Sequence, residues 1–192
     1  MDMLVKKEKI FDNIVAVSGT KKEAIRTISR LCAKQTMLDA TQLEKAFWKR
    51  EEWDSTGCGE GIAIPHAIIK EIDEVQLFIV RFRYPIEWES FDDKKVDIAF
   101  AIIAPEEKGQ EKYLVFLSRL ARKLVDEKFI ADFRNCRSTE AVYQYVKNEL
   151  EYFKNNVQRA IIEERYENNW SYQVPYRNRT YLYGSSPHRK GM

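Results

Sequence analysis

Arg50-Glu-Glu-Trp-Asp-Ser-Thr-Gly-Cys-Gly-Glu-Gly-Ile-Ala-Ile-Pro-His66 is the stretch on which the reading of this chain turns. Glycines at alternate positions, Gly57, Gly59 and Gly61, make a backbone that turns sharply and lets a ligand approach closely. Exposed amides in such a loop can cradle an anion. The apolar run Ile62-Ala63-Ile64 reads as part of a buried strand over about residues 61–67. Pro65 fixes a backbone angle and removes a donor just before His66, the first of the chain's 2 histidines. Arg50, Ser55 and Thr56 stand shortly upstream with the donors an anion needs. A phosphate-sized pocket with a nucleophilic imidazole at its edge is the chemistry these residue types describe.

Ser55-Thr56-Gly57-x-Gly59-x-Gly61-Ile62-Ala63-Ile64-Pro65-His66, preceded by Arg50-Glu51, resembles the phosphorylation-site signature of the EIIA components of the bacterial phosphoenolpyruvate-dependent sugar phosphotransferase system. The likeness is to the fructose/mannitol class, which also contains the nitrogen-regulatory EIIA proteins, and spans roughly residues 1–150. The resemblance implies that His66 is transiently phosphorylated by a phosphohistidine on the small carrier protein HPr. The phosphoryl group then leaves for an EIIB partner, commonly for a cysteine. It implies Arg50 as the fixed positive charge beside the phosphoryl oxygens. Ser55 and Thr56 would donate to the phosphoryl group or hold the loop, with capping and turn roles equally open.

Neutral imidazole, with a reference pKa of about 6.5, suits covalent phosphoryl carriage near neutral pH. Phosphoryl transfer asks a protein chiefly for alignment and charge stabilisation. Cys58 reads as a small hydrophobe and the glycines as shaping the loop; Glu51 could orient Arg50, but a solvated face is the better reading. One departure from the family stands out. Many relatives begin the long helix with a second histidine, where this chain has Tyr113 in Tyr113-Leu-Val-Phe-Leu-Ser-Arg-Leu-Ala-Arg122. A tyrosine can donate a hydrogen bond but carries no positive charge.

Outside this stretch the patterning alternates strand and helix. Residues 8–18 read as strand or loop. Helices are expected at about 21–35, capped from Ser18-Gly19-Thr20, and at about 41–53, capped by Asp39 or Thr41. Residues 75–84 are β-branched and aromatic and stop at Pro85, and 96–104 form a nearly continuous apolar strand of central type. Residues 109–126 form the clearest helix, with Leu114, Leu117, Leu120, Ala121, Leu124 and Val125 as its stripe. A short helix or turn at 128–135 and a helix from Ser138 to about 153 complete the pattern. Interleaved strands and helices predict an α/β (α+β) fold with a mixed sheet covered by helices. The resemblance adds that helices lie on both faces.

With 192 residues and 44% hydrophobic content the chain suits one domain, here 1–153, plus a C-terminal extension, 154–192. The formal charge of +2 demands neither nucleic acid nor membrane. Residues 151–192 carry +3 and 6 of the 10 tyrosines, and residues 1–150 carry −1. Arg177, Arg179, Tyr181 and Tyr183 interleave basic and aromatic groups, too short a run to expect a nucleic-acid partner. His188 reads as part of a chain end without a role. The 3 cysteines lack paired spacing, which predicts a reducing cytoplasm rather than a disulfide framework. No membrane span, signal peptide, metal cluster or cofactor loop is evident, so no cofactor is implied. The protein is expected to be cytoplasmic and able to dock on a membrane permease complex without being embedded. Two functions remain open: a carrier in sugar flux, or a regulatory protein whose partner binding is switched by His66 phosphorylation.

Overall fold

The computed structural model describes residues 5–106 and 110–150. They fall within the first of two compact units, Met1–Phe153 and Lys154–Met192. The expected prolongation of the last helix and the tyrosine-rich extension lie outside the described residues.

Among the described residues six strands make one mixed sheet: β1 (Ile10–Ile14), β2 (Gly57–Gly59), β3 (Ile62–Ala63), β4 (His66–Ile69), β5 (Gln76–Ile86) and β6 (Val96–Pro105). The order is β1-β5-β6-β3-β2, with β4 also paired to β6. The β1–β5, β3–β6 and β4–β6 pairs are parallel, and β5–β6 and β2–β3 are antiparallel. Helices α1 (Lys21–Thr36), α2 (Ala40–Glu51), α3 (Gln110–Lys123) and α4 (Glu127–Asn135) join a fifth helix, α5, over residues 139–150.

The near-continuous apolar run of β6 has a direct cause, because successive side chains enter opposite cores. Ala99, Ala101 and Ile103 pack with Ala24, Ile25, Ile28, Leu43 and Phe47 of α1 and α2. Ile98, Phe100 and Ile102 pack with Leu120, Phe129, Phe133 and Val142 of α3, α4 and α5. Small residues on the first face (Ala63, Ala67, Ala99 and Ala101) leave room for α1 and α2 beside the sheet. The expected two-sided sandwich is what the chain forms.

Phe100 is fully buried, with its ring 5.3 Å from that of Phe133. Phe100→Ala is expected to cost about 3–5 kcal/mol, a large share of a domain stability of about 5–15 kcal/mol. Denaturant unfolding would show the midpoint fall, whereas a change under about 1 kcal/mol would mean the core collapses into the gap.

Caps are where side chains predict them. Thr20 accepts from the Glu23 amide, Asp39 from Gln42, and Ser138 from Ala141. Three expectations shift. The single strand at 61–67 is two, β3 and β4, because Pro65 has no N–H for the ladder; its carbonyl still accepts from the Ile102 amide. β5 does not stop before Pro85 but runs to Ile86, with an irregularity in register between Arg81 and Ile86 that accommodates the proline. The expected helix to 126 ends at Lys123: the buried stripe of α3 holds Tyr113 and Leu120, with Leu117 partly buried and Leu114 exposed, and in the turn that follows Leu124 is buried and Val125 exposed. At about 100° per residue, Leu114 lies one step off the core-facing line from Tyr113.

Candidate functional site

Two backbone breaks place the site. α2 ends at Glu51, leaving Arg50 in its last turn, and Pro65 interrupts the strand so that His66 opens β4. The two side chains meet: Arg50 Nε donates to His66 Nε2 at 2.7 Å. On the other side of the ring, His66 Nδ1 lies 2.9 Å from the Ile64 carbonyl oxygen. That oxygen can only accept, so Nδ1 carries the proton and Nε2 keeps its lone pair. A second guanidinium nitrogen, Arg50 Nη1, donates to the Asp54 carbonyl at 2.8 Å.

Burial lowers the His66 pKa below its ordinary 6.5, and the Arg50 charge pushes the same way; the Ile64 bond and Glu51 oppose this only in part. The imidazole is therefore neutral at pH 7, with its nucleophilic nitrogen unprotonated. Because the folded-state pKa is the lower one, protonation favours the unfolded chain. This residue's contribution to stability falls as pH drops below about 6.5.

Tyr113 approaches from α3, its ring centroid 6.2 Å from that of His66 and inclined at 50°. It is only 6% exposed. Burial pushes its phenol up to about 12 against the opposing charge of Arg50, so it keeps its proton and adds no charge to the site.

Ser55 and Thr56 lie next to the pair but spend their hydroxyls on the loop. Thr56 Oγ1 donates to Glu51 Oε2 at 2.5 Å, and Ser55 Oγ is shared between Glu51 Oε1 and the Glu89 carbonyl. Glu51 is not on a solvated face: it is 5% exposed and accepts in addition from Trp88 Nε1, Lys21 Nζ and the Thr56 amide. The sequence did carry a signal for this. Leu43, Phe47 and Glu51 follow one another at intervals of four, so Glu51 continues the buried stripe of α2. Trp88 and the carbonyls of Asp54 and Ile64 are missed by sequence reasoning, since backbone groups carry no residue signature.

The glycines shape the site. Glu60 and Gly61 both have positive φ, 51° and 72°, and form the two-residue turn of the β2–β3 hairpin. At Gly57 an added Cβ would lie 2.3 Å from the Glu89 carbonyl oxygen. Gly57→Ala is expected to force the loop off Glu89 at a cost of about 1–3 kcal/mol, measurable by urea unfolding. Unchanged stability would show that the 87–91 segment simply gives way. Cys58 is half-buried against the α3–α5 core, and burial pushes its thiol up to about 11, in keeping with a small hydrophobe. No helix among the described residues is long and apolar enough to cross a membrane.

Comparison with known proteins places the chain in a family. Residues 3–149 match the family model described as phosphoenolpyruvate-dependent sugar phosphotransferase system, EIIA 2. A nitrogen regulatory protein of Escherichia coli (strain K12) is 36% identical over 129 residues, covering 66% of this chain and 78% of that protein. The crystal structure of nitrogen regulatory protein IIA-Ntr from Neisseria meningitidis superposes with a TM-score of 0.68 at 25% identity, covering 74% of this chain and 95% of that one. Enzyme IIA-mannitol of Escherichia coli, determined in complex with phosphorylated IIB-mannitol, gives 0.58 at 21% identity, covering 75% and 97%.

Proposed function

We propose, from the premise that this chain belongs to the type 2 EIIA family of the phosphotransferase system, that it is a phosphocarrier using His66 Nε2 as the phosphoryl acceptor. The observation that carries this reading is the paired fixation of the ring: Nδ1–H bound to Ile64, Nε2 facing the Arg50 guanidinium. The Nε2 lone pair attacks phosphorus, and the N–P bond of the donor phosphohistidine breaks, its imidazole leaving with the electron pair. Positive charge gathers on the His66 ring, whose Nδ1–H already has an acceptor. Arg50 exchanges its bond to Nε2 for the phosphoryl oxygens, a charge-assisted contact. In the onward step an acceptor thiolate forms an S–P bond as the Nε2–P bond breaks, and the electron pair returns to Nε2, leaving His66 in its starting tautomer.

HPr is the proposed donor and an EIIB protein the proposed acceptor. The mannitol relative assembled with phosphorylated IIB supports the acceptor class. A docking surface for such proteins is available. Trp53, in the segment beyond α2, is 81% exposed, Leu114 next to Tyr113 is exposed, and Ile68 shares the outward face of β4 with His66. The carrier acts in the cytoplasm, residues 1–153 forming the phosphocarrier domain and 154–192 an extension. Mass spectrometry under non-acidic conditions, after incubation with phosphoenolpyruvate, enzyme I and HPr, should find one phosphate on the His66 peptide. A phosphate elsewhere, or none, overturns the reading.

The nitrogen-regulatory relatives favour a further element: the phosphorylation state of His66 governs binding to another protein, and sugar flux is secondary. Partner capture from lysate by phosphorylated and unphosphorylated protein should then differ. Identical capture would leave sugar transport as the role.

A further inference from the structure

One buried side chain holds both halves of the site. The Glu51 carboxylate gathers the Thr56 amide and hydroxyl, the Ser55 hydroxyl, the Trp88 indole N–H and the Lys21 ammonium. Two hydrogen-bonded arms leave from there. Pinning Ser55 and Thr56 fixes the turn after α2, and with it the Asp54 carbonyl that receives Arg50 Nη1. Pinning Thr56 also fixes its own carbonyl, which accepts the Ile64 amide at 2.9 Å; Ile64 in turn presents its carbonyl to His66 Nδ1. One arm ends on the guanidinium and the other on the imidazole.

We infer that Glu51 is a positioning residue for phosphoryl transfer, setting the His66 tautomer and the Arg50 guanidinium together through Thr56. The rate consequence rests on the phosphocarrier reading above, whereas the tautomer consequence does not. Every group around Glu51 is a donor, and Lys21 is bound in addition to Glu89 on the far side. An amide at this position offers one acceptor oxygen and turns an NH₂ donor toward donors. The 54–56 loop must then move, carrying Asp54 and the Thr56 carbonyl with it.

The test uses Glu51→Gln in the full chain, read by ¹⁵N NMR of His66 in unphosphorylated protein and by rapid-quench transfer from phospho-HPr. Wild type should show a single Nδ1–H tautomer. The variant should show a mixture, with transfer slowed about 10- to 100-fold in kcat and a smaller change in KM for HPr, because Ile68 and Leu114 of the docking surface lie outside the moving loop. Thr56→Val should reproduce the tautomer mixing in weaker form and Thr56→Ser should not, which decides the matter even if Glu51→Gln fails to fold. Phe129→Leu, in the opposite core, controls for lost stability alone and should leave the tautomer unchanged. A Glu51→Gln or Thr56→Val protein with the wild-type tautomer and kcat overturns the inference and leaves Glu51 as a core carboxylate. A wild type that never accepts phosphate, with tautomer mixing in Glu51→Gln, would sink the carrier reading and the rate consequence and keep Glu51 as the residue that sets the His66 tautomer.

Discussion

His66→Gln protein is expected to take up no phosphoryl group from phospho-HPr while keeping its fold. The glutamine amide matches much of the ring's length and can still accept from Arg50, but its carbonyl oxygen and NH₂ group form no stable phosphoryl adduct at neutral pH. The ring held between Ile64 and Arg50 is lost in this variant, and the other histidine, His188, lies outside the described residues. The expected loss is complete. Non-acidic mass spectrometry, run beside a thermal unfolding scan, checks both halves of the statement. Phosphate retained by folded His66→Gln protein would move the acceptor to another residue.

The second large effect is at Arg50. Arg50→Ala should slow transfer into and out of His66 by about 10²- to 10³-fold, the usual cost of losing one preorganised donor to developing charge. Arg50→Lys should recover little, because an ammonium cannot donate to His66 Nε2 and the Asp54 carbonyl at once as the planar fork does. The pH profile carries a separate signature. Burial is the main cause that lowers the His66 pKa, and the Arg50 charge is a further one, so its removal should raise that pKa toward 6.5. Since only the unprotonated ring can attack, the acid limb of the rate profile should then move to higher pH. Rapid-quench kinetics across pH would show it. A variant with the wild-type rate and an unmoved limb would reduce Arg50 to a helix-end residue beside the dipole.

Legibility differed by level. The apolar runs of β5 and β6, the caps at Thr20, Asp39 and Ser138, and the Arg50–His66 signature were all readable, because each rests on side-chain identity at short range. The division of residues 61–67 into two strands was not, although Pro65 announced it; an apolar run gives no account of its ladder partners. Glu51 was misread for a related reason. Charge argues for solvent, and only the convergence of Trp88, Lys21 and Thr56 on one carboxylate reverses that presumption.

Tyr113 shows the same limit from the other side. Its identity excludes a second titrating imidazole at that point, and this follows from the residue alone. Its approach to within 6.2 Å of His66 and its burial follow only from how α3 crosses the sheet. By itself, then, the sequence determined the family and the two-faced core and pointed to His66 as the proposed acceptor, since those depend on which side chains occur at which spacing. Tertiary structure alone decided which His66 nitrogen is unprotonated, that the Ser55 and Thr56 hydroxyls bond within the loop, and that Glu51 is buried among their donors. Those outcomes are set by backbone carbonyls and long-range donors, which have no signature in the order of residues.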